Sequence, residues 1–136
     1  MKPTLEGEFR IATESDIVTA RKFVREAAAA LGFGLVDVTR IVTAASELTR
    51  NIYQYAGSGV MRWRPLNEAG RVGLEIVFED RGPGIADLER AMEPGFSTGK
   101  GLGLGLPGSK RLMDEMAIES KAGEGTTVRV RKWLKK

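Results

Sequence analysis

The 136-residue chain contains no cysteine and no histidine. That excludes disulfides, thiolate nucleophiles, imidazole bases and the common zinc sites. Any chemistry must rest on carboxylates, amides, hydroxyls, Lys or Arg, and the backbone. Long hydrophobic runs are also missing: no stretch approaches the roughly 20 apolar residues that a bilayer crossing needs. The N-terminus lacks the charged, apolar and small-residue order of a signal peptide. Both absences predict a cytoplasmic protein with no membrane partner. Neither sign of charge dominates, since 21 Lys and Arg against 18 Asp and Glu leave a net +3. The basic residues that do cluster, Arg21, Lys22 and Arg25 early and Arg129, Arg131, Lys132, Lys135 and Lys136 at the end, read as a solvated face and a solubilising tail. Arg62-Trp63-Arg64 sets one aromatic between two cations, too little to predict a nucleic-acid partner. The length suits one domain spanning residues 1–136.

Hydrophobic spacing gives the elements. Phe9 and Ile11 alternate with polar neighbours as an edge strand does, and Thr13 with Asp16 makes a helix start. Ile17, Ala20, Val24, Ala27 and Leu31 recur at helical spacing up to the stop at Gly32. Val38, Ile41, Ala45, Leu48, Ile52 and Tyr55 predict a long amphipathic helix over 35–56. A strand from Val60, a hairpin turn at Asn67-Glu68-Ala69-Gly70 and a central strand over Val72 to Glu79 follow. A helix is expected over 104–116, then strands over 117–121 and 126–133. Hairpin-joined strands with helices collected elsewhere predict an α+β two-layer sandwich, a mixed and mostly antiparallel sheet covered on one face by helices.

Between the central strand and the last helix the chain is crowded with glycine. Each glycine loses more backbone freedom on folding than another residue would, so a reason besides core stability is needed. Close approach of bare N–H groups to an anion such as phosphate is the usual one. Gly103 to Gly108 fits the dinucleotide pattern G-x-G-x-x-G, but Gly95 to Gly101 ahead of it cannot be the required strand. Gly103 to Lys110 nearly spells a phosphate-binding loop of the Walker type. Its Gly108-Ser109-Lys110 order moves the amine and hydroxyl off the positions that reach phosphate and metal. A eukaryotic-type protein kinase needs a catalytic-loop His that the chain lacks.

A distributed site remains. Glu47 and Asn51, four residues apart, point the same way at the margin of the long helix's apolar stripe, with Ala44 on the same line leaving room for a ligand. Asp80 ends an apolar strand and is followed by Gly82 and Gly84, which presents a carboxylate at a sharp turn. A carboxylate only accepts hydrogen bonds, which suits an exocyclic amine such as that of adenine.

Glu47-x-x-x-Asn51, Asp80-x-Gly82-x-Gly84, Gly101-Leu102-Gly103-Leu104-Gly105 and Gly125-Thr126, in this order over nearly the whole chain, resemble the four boxes of the GHKL (Bergerat-fold) ATPases and kinases. The wording around Glu47 to Ala56, Gly95-Phe96-Ser97-Thr98 and Lys110 to Glu115 is similar to the serine/threonine kinases of the bacterial stressosome. The resemblance implies ATP and Mg²⁺ as cofactors. By position, Asn51 would hold Mg²⁺, Glu47 would be the general base, Asp80 would bind the adenine amine with Gly82 and Gly84 beside the base, and Thr126 would support Asp80 or a bridging water. Gly101, Leu102, Gly103, Leu104 and Gly105 would donate N–H groups to the phosphates with Lys100 neutralising charge, under a lid over 87–100. Ile52 after Asn51, where many relatives have Ala, and the missing His just beyond are the two departures. The implied activity is ATP-dependent phosphorylation of Ser or Thr on a STAS-domain antagonist in a stressosome partner-switching pathway, followed by activation of a PP2C-type phosphatase. The alternative is an ATP-gated module that sequesters a sigma factor.

Overall fold

The computed structural model describes residues 5–82 and 106–135. Its elements are β1 (Gly7–Ile11), α1 (Ser15–Leu31), α2 (Leu35–Asn51), a single π turn (Ile52–Ala56), β2 (Gly59–Glu68), β3 (Arg71–Asp80), α3 (Leu106–Leu112), β4 (Glu115–Lys121) and β5 (Gly125–Trp133). The strands form one sheet in the order β1-β2-β3-β5-β4.

Among the described residues all four strand pairings are antiparallel, so the sheet they form is not mixed as expected. β3 and β4 do run in the same direction, but β5 lies between them and the parallel pair never forms. β3 therefore sits at the centre, and its alternation decides what each face is. Leu74, Ile76 and Phe78 are buried under the helices, joined by Met61 and Trp63 from β2 and by Val128 and Val130 from β5. Against them lie Ala20, Val24 and Ala27 of α1 and Val38, Ile41, Ala45 and Leu48 of α2. Each buried Val, Leu or Ile among them contributes about 1.5–3 kcal/mol by leaving water, and each Ala less.

Local signals account for most boundaries. Asp16 accepts the N–H groups of Ala12 and Thr13, both at 2.9 Å, so the acidic half of the expected helix start is present, and the Thr13 hydroxyl lies 3.0 Å from that of Ser15. α1 stops at Gly32, whose φ of 103° needs no Cβ, and Phe33 N–H returns to the Ala28 carbonyl. The β2–β3 turn uses Ala69 and Gly70 at φ of 52° and 81°, both left-handed, as a two-residue hairpin requires.

Two expected helices are shorter. α2 ends at Asn51 and passes into the π turn, whose wider winding brings Ile52 against Gly59 and Ala56 against Gly82. α3 ends at Leu112, because the Asp114 N–H already bonds the Arg131 carbonyl and its carboxylate accepts Trp133 N–H at 2.8 Å. Residues expected as the last helical turn thus join the sheet.

The open face of the sheet carries charge. Arg64, Glu75, Arg131 and Glu115 lie in one row across β2, β3, β5 and β4. Glu75, 4% exposed, is held by Arg64 at 2.8 Å and Arg131 at 2.7 Å. The arginines expected to be merely solvated are partners in this lattice. Lys132, assigned to a solubilising tail, is buried on the other face, where it donates to the Leu112 carbonyl at 2.8 Å beside Asp37 and Asp114. Trp63 is buried and stacked on Phe23 at 5.2 Å, out of reach of a base.

Candidate functional site

The site is built where β3 ends beside the last turn of α2. Asp80 is paired with Gly59 on one side and Thr126 on the other, so three strands meet at its row. Its carboxylate accepts Gly82 N–H at 2.9 Å, closing a tight turn, and the Thr126 backbone N–H also bonds it. Burial pushes the Asp80 carboxyl above its ordinary range, and the nearby Glu79 charge adds to this. The hydrogen bonds from Gly82 and Thr126 offset the rise only in part. No cation has been placed against it among the described ion pairs. The result is a half-buried acceptor with capacity for a ligand donor.

Glycines set how near the neighbouring elements come. A Cβ on Gly82 would lie 2.6 Å from the Ala56 Cβ and 2.9 Å from its Cα. One on Gly125, at φ 125°, would run into the Asp80 backbone. Gly59 likewise leaves space for Ile52, whose Cγ2 would stand 2.7 Å from an added Cβ. Ile52 is therefore accommodated by Gly59, and the departure from Ala does not disturb the turn.

The Gly82–Ala56 contact ties the aspartate turn to the helix carrying Glu47 and Asn51. From Ala56, Asn51 lies back across the π turn, and Glu47 about one α-helical turn beyond it. Asn51 and Glu47 thus lie successively further from the Gly82–Ala56 contact along the helix axis. Both helix residues are partly exposed, and the Arg50 guanidinium donates to Glu47 Oε1 at 3.0 Å. Ala44, expected to leave ligand room, is instead buried in the core, with α3 packed against α2.

A shallow cavity of about 650 Å³ opens beside Asp80, lined among others by Arg81, Ser120, Lys121, Gly125 and Thr126. Among the described residues neither Glu47 nor Asn51 lines it. Sequence reasoning missed Ser120, whose hydroxyl lies 2.8 Å from that of Thr126 and 3.2 Å from the Gly125 carbonyl. Its signal was the hairpin: counting back across the turn at 122–124 puts Ser120 opposite Thr126. The Thr126 hydroxyl, expected at Asp80, is bonded to Ser120, and its backbone N–H reaches Asp80 instead. Gly84, Lys100, Gly101, Leu102, Gly103, Leu104, Gly105 and the expected lid lie outside the described residues.

The residues present fit an adenine nucleotide at one end: an acceptor for an amine, a glycine turn that brings the backbone close, and a hydroxyl pair beside it. They fit Mg²⁺ in a limited way. No group of three acidic side chains could cage a metal among the described residues. Mg²⁺ ordinarily takes few protein ligands, keeping waters and substrate phosphate oxygens for the rest, and the Asn51 amide oxygen suits that role.

Comparison with known proteins bears on the same residues. Residues 11–132 match the family described as histidine kinase-like ATPase domain. The serine/threonine-protein kinase RsbT of Bacillus subtilis (strain 168) is 56% identical over 126 residues, covering 93% of this chain and 95% of that protein. An anti-sigma F factor of Thermoanaerobacter sp. (strain X514) is 33% identical over 121 residues, covering 85% and 83%. Among solved structures, the catalytic domain of histidine kinase ThkA superposes with a TM-score of 0.54 at 17% identity, covering 93% of this chain and 94% of that one. The structure of the RsbU and RsbW domains of a Mycobacterium tuberculosis protein gives a TM-score of 0.58 at 24% identity, covering 93% of this chain and 31% of that one. The two structural likenesses carry the fold alone.

Proposed function

The chain belongs to the histidine kinase-like ATPase family and is a serine/threonine-protein kinase within it, and from that premise we propose that it transfers the γ-phosphoryl group of ATP to a Ser or Thr of a STAS-domain antagonist in a stressosome partner-switching pathway. Released from that assembly, it activates a PP2C-type phosphatase. It acts in the cytoplasm as a single kinase domain; no helix among the described residues is long and apolar enough to cross a membrane.

The observation that carries the reading is the seat of Gly82 on Ala56, which sets the Asp80 turn at the end of the helix bearing Asn51 and Glu47. Asp80 accepts the adenine amine, and Gly82 and Gly84 let the base lie against the chain. The N–H groups of Gly101 to Gly105, with Leu102 and Leu104 between, bind the phosphates, and Lys100 neutralises part of their charge. Asn51 would hold Mg²⁺ through its side-chain amide oxygen, and the bound ion would supply positive charge to the phosphates. Glu47 takes the proton from the attacking hydroxyl, and Arg50 fixes the carboxylate that does so.

Labelled ATP, incubated with the protein and candidate STAS-domain and sigma-factor proteins, tests this directly. Label on a STAS-domain Ser or Thr is expected. A stable sigma-factor complex without label supports the second reading, sequestration of a sigma factor, which the identity with anti-sigma F factors favours. Glu47→Ala should lower transfer by about 10²–10⁴-fold with ATP affinity kept. Equal loss of affinity would remove Glu47 from the role of base.

A further inference from the structure

Three hydroxyl and carbonyl groups at the sheet end form a chain with one internal direction. Ser120 Oγ–H donates to the Gly125 carbonyl at 3.2 Å. A serine hydroxyl has a single proton, so across the 2.8 Å contact with Thr126 it is Ser120 that accepts and the Thr126 hydroxyl that donates. The Thr126 oxygen then turns only lone pairs to its surroundings. Thr126 pairs with Asp80 in the sheet, so the two side chains share a face in adjacent strands. Asp80, when ionised, is likewise an acceptor only. The rim of the cavity beside them is therefore lined by acceptors at two neighbouring positions.

We propose that Ser120 is a positioning residue for nucleotide specificity: by holding the Thr126 hydroxyl as an acceptor it keeps a donor away from the 6-position of the bound purine, so that a 6-amino group is preferred over a 6-oxo group. This rests on the nucleotide reading of the site given above. Adenine offers an amine donor at that position, whereas guanine and hypoxanthine offer a carbonyl oxygen that needs a donor. Were Ser120 unable to accept, the Thr126 hydroxyl would rotate and supply one. The rejection of 6-oxo purines would then rest on Asp80 alone.

The test measures the affinities of ATP, GTP and ITP by calorimetry for the unaltered protein and for Ser120→Ala, Ser120→Cys and Ser120→Thr. The unaltered protein is expected to prefer ATP. Ser120→Ala should cut the ATP/GTP and ATP/ITP affinity ratios roughly three- to tenfold, the range one neutral hydrogen bond spans. Ser120→Cys, close in size and a poor acceptor, should relax them similarly and guards against misfolding of the Ala variant. Ser120→Thr, which keeps the hydroxyl, should restore them. A uniform fall in affinity for all three nucleotides with unchanged ratios would mean a merely structural Ser120 and overturn the proposal. So would unchanged ratios with unchanged affinities. If the unaltered protein binds none of the three, the nucleotide reading itself falls and takes this inference with it.

Discussion

Glu75 and Asp80 lie five residues apart on β3, on opposite faces of the sheet, the first buried and the second half-buried. Burial alone pushes the Glu75 carboxyl up, yet the hydrogen bonds and charges of Arg64 and Arg131 outweigh it and hold the group below its usual range. Among the described residues Asp80 has two backbone N–H groups and no arginine against it, and its carboxyl rises. The same strand therefore carries one carboxylate whose acceptor sites are filled by its own fold and one whose capacity is left for something else. A buried acceptor without a countercharge costs stability, and such groups collect where a ligand supplies the missing donor.

Exchanging charge for amide at the two positions should break the comparison in opposite directions. Glu75→Gln leaves Arg64, Arg129 and Arg131 clustered without their carboxylate, and chemical denaturation should record a loss of about 3 kcal/mol. ATP affinity should hardly change. Asp80→Asn is next in size: calorimetry should show ATP binding weakened about 10–100-fold through loss of a charge-assisted hydrogen bond. The fold should hold or gain, by no more than about 1 kcal/mol since the carboxyl is only half-buried. A destabilised Asp80→Asn protein would show that the carboxylate serves the fold after all.

Acid sharpens the same contrast. With its folded value depressed, Glu75 contributes stability that is present above its unfolded value near 4.5 and lost as pH falls through the folded one. With its folded value raised, Asp80 costs stability above that value, and the cost vanishes below the unfolded value near 3.8. Denaturation from pH 7 to 3 should therefore show the deficit of Glu75→Gln shrinking at the acid end, and any gain of Asp80→Asn disappearing there. The smallest effect is expected at the β2–β3 turn, where Ala69 adopts φ 52°. Ala69→Asn should stabilise by about 0.5 kcal/mol, since Asn tolerates the left-handed region better, with ATP affinity unchanged.

Spacing in the chain was enough for β3 as the central strand, for the Gly32 stop of α1, and for an α+β sandwich, because period-2 and period-3.6 patterns are local properties of the sequence. Glu47, Asn51, Asp80, Gly82 and Thr126 could be named as candidates for a similar reason: their types and order are fixed in the chain. What the sequence could not determine was which groups satisfy one another. That Arg64 and Arg131 fill the acceptors of Glu75, that Lys132 is buried under α3, that Ser120 takes the Thr126 hydroxyl and that Gly82 closes on Ala56 are contacts between residues far apart in the chain or across a hairpin. Strand order and register decided them. A charge reads the same in sequence whether it ends in solvent or against a counterion, and only the packed sheet separates the two.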